Sequence, residues 1–560
     1  MDKYTSSTMD GASIGLKKQK VTTFTAVFMV FSLVAAGCYG IEEMLPETGM
    51  GLTLIMLIVI PFVWGLPFGL VASELGSVRP QEGGYYKWVQ EALGEFWGFM
   101  AGWWRTISIY IDNTLYVVLA GGYLFSIVDT DNVYVEFAFK AAMILFFMYI
   151  NLRGVRDVGL VTNALSIFII AAFAMVAIIG FLNWGGSPFA EMIPIEEPEM
   201  VDWIFCVGAG LSIGMWMYSG YESMSTFAGE LQNPQVIPKA TLITVPLIMC
   251  TYIFPTMAGV SSLNGTGDPD LAYENWGIEP DSIGYATVAD HFWGPAFGVF
   301  FVVVAVIAQF SIYNTYIASG SRGFFALSED NLSPKFFVKV SKKYGVPYVT
   351  VISIAVVNLA LCMFDFSILI VVDVFLLVAS YIMVYISAMI LRKRIPKEEY
   401  KFRLPFGNGF FKVICIVPIC VAVISFVING SDYFIGGMVG IISGPILYFI
   451  WKRYYGGLAK KDSEGHPVNK KTGLALGDMK RLGILFGLLA VIGVLGCLFL
   501  PWYEAEWVYP DDYDLQLFAS QDALFLGIRI MTIVCAGLAV IFGFVGRAIE
   551  PKGSEAKKAN

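Results

Sequence analysis

Ala36-Gly37-Cys38-Tyr39-Gly40-Ile41-Glu42-Glu43 and Tyr218-Ser219-Gly220-Tyr221-Glu222 each break an apolar segment at its centre with a short, glycine-containing, acidic stretch. Backbone that leaves the helix inside a bilayer forfeits its internal hydrogen bonds. It persists only where protein or a water-filled cavity satisfies the freed groups. The two stretches therefore predict two interrupted helices around a shared pocket at half depth, the pattern of a secondary transporter built from inverted repeats.

The rest of the chain fits that setting. Its 560 residues are 57% hydrophobic and 14% charged, with a mean hydropathy of +0.68, whereas soluble domains are about 45–50% apolar. The chain reads as an all-α polytopic membrane protein. Windows of about 20 apolar residues span hydrocarbon, and fourteen such windows are present between Thr22 and Val545. They predict a tail at 1–21, a first five-span repeat over 22–182 and a second over 203–391. Two more spans follow over 410–454, then a linker at 455–481, an additional hairpin over 482–545 and a tail at 546–560.

Arg79, Lys87, Arg153, Lys239, Lys335, the Arg392-Lys393-Arg394 run, Lys452, Lys470 and Arg547 all fall on one side of this layout. Loops that retain Lys and Arg are cytoplasmic, so both termini are expected in the cytoplasm and the protein in the cell membrane. The opposite loops are acidic, as in Glu196-Glu197-Pro198-Glu199 and Asp511-Asp512. A negative mouth enriches cations; acid also simply keeps an exposed surface soluble. The eight cysteines lie in apolar segments without metal-ligand spacing, and the two histidines, His291 and His466, lie outside the spans. With no phosphate-cradling glycine loop either, the sequence predicts no cofactor, no metal, no nucleic-acid partner and no enzyme.

Ionisable groups at bilayer depth cost about 2.5–3.5 kcal/mol on insertion scales, which makes a cavity-facing site their default reading. Here they are Glu42, Glu43, Asp112, Glu222 and Asp373 against Arg105, Lys140 and Arg529. A buried ion pair is the rival reading, with Arg105 two turns before Asp112 as the available partner. At a break, one half-helix offers N–H groups to a carboxylate and the other offers carbonyls to an ammonium. An acid on the N–H side would favour a ligand bearing amines only. Trp216, Tyr218, Tyr221 and Tyr39 could close over a cation or pack as ordinary core.

Trp216-Met217-Tyr218-Ser219-Gly220-Tyr221-Glu222, followed by Gly229-Glu230-Leu231-Gln232-Asn233-Pro234 and Pro238-Lys239-Ala240, resembles the sixth span and following loop of the amino acid/polyamine/organocation superfamily. Gly37-Cys38-Tyr39-Gly40-Ile41-Glu42, Glu74-Leu75-Gly76, Ile111-Asp112-Asn113-Thr114 and Arg403-Leu404-Pro405-Phe406-Gly407 resemble its polyamine uptake branch in particular. The resemblance implies a LeuT-like 5+5 inverted repeat with broken first and sixth helices. By analogy with arginine/agmatine antiporters, it implies that Trp216 stacks on the substrate, that Asn113 contacts it, and that Glu222 couples transport to protons. The chain departs from the superfamily at Cys38-Tyr39-Gly40, which is not the usual Gly-x-Gly, and has no lysine in the core of the fifth span. The loop from Asp129 to Glu136 has no cysteine for a disulfide-linked heavy chain.

The expectation is a proton-linked carrier for polyamines or cationic amino acids. Its site comprises Gly37, Cys38, Tyr39, Gly40, Ile41, Glu42, Asp112, Asn113, Trp216, Tyr218, Ser219 and Gly220, with Glu222 titrating. An amino-acid permease or exchanger and a non-transporting sensor on the same fold are the alternatives. Expected partners are the amine or amino acid, protons, membrane lipid and a second copy in a homodimer.

Overall fold

The computed structural model describes residues 20–35, 39–81, 83–128, 132–195, 197–233, 235–277, 283–364, 366–428, 430–505 and 520–549. Of these, 155, 156, 222, 227–230, 367, 368, 371, 432, 433, 505 and 549 are described by backbone alone. The first predicted span is two half-helices, α1 (Thr23–Val34) and α2 (Ile41–Thr48). Thr22 caps α1 by accepting the Thr25 N–H, and Gly40, at φ +96°, starts α2 in a left-handed conformation. The second span runs through α3 (Met50–Ile60), a π turn (Pro61–Gly65) and α4 (Leu66–Val78). Pro61 brings no N–H to the ladder, and the chain relaxes into a π turn there. A short α5 (Gly84–Leu93) precedes α6 (Glu95–Phe125), α7 (Val133–Asn151) and α8 (Val155–Leu182).

The second half repeats this order. α9 (Met200–Met217) opens with a Glu199/Asp202 capping box and stops at the second break, after which Tyr221–Glu230 forms a 3-10 helix. α10 (Val236–Asn264), a short α11 (Gly284–Trp293), α12 (Pro295–Glu329), α13 (Tyr348–Leu361) and α14 (Phe366–Arg394) follow. α15 (Asn408–Ile428), α16 (Ser431–Tyr455), α17 (Asp478–Ala505) and α18 (Gln521–Ile549) end the described chain. Among the described residues, twelve helices, counting α3 to α4 as one, are long and apolar enough to cross a membrane. The two other predicted spans fall on α1 and α13, apolar helices of 12 and 14 residues.

α6 packs along α12 and α14, and α10 along α1 and α8, so helices of both halves pack around the breaks. The short helices exchange partners. α5, of the first half, lies against the 3-10 helix of the second break. α11, of the second half, donates its Tyr285 N–H to Glu42 Oε1 on α2 at 3.2 Å. Each half thus braces the broken helix of the other, as two related repeats facing opposite ways would. α17 and α18 pack chiefly on each other and on α15 and α16, away from the breaks.

Two buried knots fasten the basic ends of these helices. Glu74 on α4 takes Arg392 Nη1 of α14 at 2.5 Å and Leu404 N at 2.9 Å, while Arg392 Nη2 donates to Phe406 O at 2.6 Å. The Glu74-Leu75-Gly76 and Arg403-Leu404-Pro405-Phe406-Gly407 stretches therefore meet here. Asp330, just past α12, bonds the Lys87 ammonium, Tyr86 Oη at 2.6 Å, Gln90 Nε2 at 2.9 Å and Lys461 Nζ at 2.9 Å. Burial pushes the Asp330 carboxyl up, but the two ammoniums and the Tyr86 hydroxyl outweigh it and hold the group well below the usual carboxylate range.

Candidate functional site

The two breaks touch. At Gly220, φ +107°, an added Cβ would lie 2.2 Å from the Leu33 carbonyl oxygen of α1 and 2.8 Å from Tyr316 Oη of α12. Only glycine fits this conformation and this approach. The Gly220 N–H donates to Tyr381 Oη at 2.9 Å, the Tyr381 ring stacks on Phe68 at 3.6 Å, and the Arg105 guanidinium lies 5.9 Å from the centroid of that ring. The π turn of the second span also reaches the break: Trp64 Nε1 donates to Met215 O at 3.1 Å and Ser219 Oγ at 3.0 Å.

Between the breaks lies a small cavity of about 10 Å3, room for about one water molecule in this conformation. Val34, Ala35 and Tyr39 line it from the first break, Trp216 and Met217 from the second, Tyr116 and Leu119 from α6, Tyr252 from α10, and Gln309 and Ile312 from α12. No lysine, arginine or histidine is among these lining residues. Trp216 is fixed as a wall. Its Nε1 donates to Asp112 Oδ1 at 3.1 Å, and its ring stacks with Tyr116 at 6.0 Å and 18°. Asp112 is buried, so a carboxylate stands at the N–H edge of the indole. Gly40 brings the first break against the same indole, with an added Cβ 3.1 Å from Trp216 Cζ3.

The predicted site residues divide into three groups. Trp216 and Tyr39 line the cavity, with Asp112 and Gly40 against Trp216 and Gly220 against Leu33 and Tyr316. Glu42, Ile41, Asn113, Tyr218 and Ser219 are buried beside it. Glu42 accepts from Tyr123 Oη at 3.0 Å and from the Tyr285 N–H, Tyr218 Oη donates to Leu57 O at 2.9 Å, and Ser219 Oγ donates to Met215 O at 2.6 Å. Gly37 and Cys38 lie outside the described residues, as does the Glu222 side chain. Several carbonyls of the second break already have donors: Met217 O receives Tyr252 Oη at 3.1 Å, Trp216 O the Ser219 N–H at 3.1 Å, and Gly220 O the Ser223 N–H at 3.0 Å. Arg105 does not displace Trp216 from Asp112. It donates to Ser108 Oγ at 2.8 Å, which in turn donates to Asp373 Oδ1 at 2.5 Å.

Sequence reasoning missed Gln309, Tyr116, Tyr252 and Tyr316. Gln309 carried a legible signal, being the first polar side chain of α12 after the apolar run 295–308. It is wholly buried, and neither its Oε1 nor its Nε2 has a hydrogen-bond partner among the described residues. Both amide atoms of Asn113 are in the same condition. Each such atom costs about 1–3 kcal/mol when left unpaired.

The family model described as amino acid permease matches residues 21–445. A probable polyamine transporter of Arabidopsis thaliana is 29% identical over 72% of this chain and 78% of its own length. The serine/threonine exchanger SteT of Bacillus subtilis (strain 168) is 23% identical over 78% of this chain and 98% of its own length. In structure, MhsT, solved in complex with L-phenylalanine, covers 74% of this chain and 100% of its own, with a TM-score of 0.56 at 12% identity. This likeness shows the fold and bears out the LeuT-like architecture expected from the broken helices.

Proposed function

From the premise that this chain belongs to the amino acid permease family, an integral membrane protein of transporter type rather than an enzyme, we propose that it carries cationic amines, with polyamines as the principal substrates. One observation supports this above the others: a buried carboxylate, Asp112, bonds the indole N–H of Trp216 in the wall of a cavity with no basic side chain among its described lining residues. Such a cavity attracts ammonium groups to aromatic faces and offers a substrate carboxylate no cation. The second break also has one N–H fewer to offer a carboxylate, since Gly220 N is bonded to Tyr381. The names of the polyamine transporters among its relatives point the same way.

Transport would proceed by alternating access, α1 and α9 shifting against α6 and α12 about Gly220. Glu222 is the proposed proton-coupling group. It is the second residue of the 3-10 helix that Arg105 reaches through Ser223 Oγ at 3.5 Å, so its charge state would bias the packing of that helix. Both termini are assigned to the cytoplasm and the protein to the cell membrane, following the one-sided lysines and arginines. Amino-acid exchange is the second reading, favoured by the likeness to SteT.

A thermal-shift screen with putrescine, spermidine, arginine and serine tests the choice. A ligand at a hundred times its Kd adds about 2.7 kcal/mol of stability. Upward shifts by the polyamines, with little from serine, are expected. The reverse order would favour the amino-acid reading.

A further inference from the structure

We propose that Gln309 makes the direct hydrogen bond to the substrate's ammonium end and thereby sets which amines the cavity accepts. The assignment rests on the amine reading of the cavity and deepens it. Gln309 is the only cavity-lining side chain with both polar atoms buried and without partners among the described residues. A buried carboxamide in that state calls for a partner, and unlike Asn113 this one lines the cavity where a ligand can supply it. Asp112 does not fill the same role in this arrangement: it is not among the residues lining the cavity, and its Oδ1 already accepts the Trp216 Nε1–H.

The two groups divide the work. Asp112 supplies a negative field from the N–H edge of the indole, which any cation feels. Gln309 supplies a short-range acceptor in Oε1, which only an N–H at the right place can use. A neutral carboxamide suits this position, since an ionised group there would be buried without a counter-charge whenever the cavity is empty. Gln309 and Ile312 lie one turn apart on α12 and both line the cavity, which puts the acceptor on its α12 side.

The test uses the full-length protein in detergent, with putrescine and serine as probes. Gln309→Met keeps the shape and removes both polar atoms. The apo melting temperature should stay level or rise, because two unpaired buried atoms are gone, while putrescine affinity falls at least about 10-fold. Gln309→Glu should tighten putrescine and weaken serine. Unchanged putrescine affinity in Gln309→Met overturns the assignment. So does a loss accompanied by a lower apo melting temperature, which marks a structural role, or an equal loss for both probes in Gln309→Glu. If the wild-type protein shifts with no amine at all, the amine reading itself falls, a result distinct from wild-type binding that the substitutions leave untouched.

Discussion

Replacing Asp112 with asparagine isolates the charge at the N–H edge of the Trp216 indole. Asparagine keeps an oxygen to accept the Trp216 Nε1–H, now at 3.1 Å, so the indole stays in place while one negative charge disappears. The magnitude follows for a cation held about 7 Å from the carboxylate. At an effective dielectric of about 20 this amounts to about 2.4 kcal/mol, on the order of 50-fold in affinity. A zwitterionic amino acid carries both signs within a few ångströms, and its loss should stay within about 5-fold. Isothermal titration of wild type and Asp112→Asn with putrescine and with serine gives the two losses, and their ratio reports charge recognition free of any general loosening of the site. A ratio near one, or full-strength putrescine binding in the variant, would refute the reasoning.

Gly220→Ala forces a side chain into φ +107° and a Cβ within 2.2 Å of Leu33 O. Strain alone is about 1–3 kcal/mol, so a steep fall in melting temperature or no folded protein is expected, and a wild-type melting curve would disprove the contact between the breaks. Arg392→Leu leaves the buried Glu74 charge without its ion-pair partner and should cost about 3–5 kcal/mol; adding Glu74→Leu should recover much of that, whereas additive losses would show the pair is not a unit. For Asp330, the folded carboxyl titrates below its unfolded value. Its contribution is complete above about pH 4 and is lost as the pH falls through the folded value. Asp330→Asn should flatten the acid limb of the stability curve, and an unaltered limb would count against the Lys87–Asp330–Lys461 cluster.

The breaks were legible because glycine and acid inside an apolar run are costly to keep helical in lipid, and α1, α2, α9 and the following 3-10 helix stop and start at those residues. The role of each break residue was less legible. Tyr218 and Ser219 sit in the interruption, yet their hydroxyls turn to Leu57 and Met215, because a side chain's direction depends on the neighbouring helix and not on its own segment. Glu42 likewise faces Tyr123 and, on α11, Tyr285, which is 243 residues along the chain and whose approach no local pattern encodes. Gln309 is less conspicuous in the sequence than the ionisable groups, although a neutral polar side chain following 295–308 is also costly to bury unpaired. Glu74-Leu75-Gly76 and Arg403-Leu404-Pro405-Phe406-Gly407 stood out in the sequence and proved to be two halves of one ion-pair knot, not part of the cavity.

Counterflow in liposomes tests most directly whether the space between the breaks belongs to a carrier of amines. Vesicles containing the purified protein and loaded with unlabelled putrescine should accumulate labelled putrescine from outside, and loading with serine should drive much less. Binding of putrescine without any exchange of label would contradict the account and leave a sensor built on the same fold.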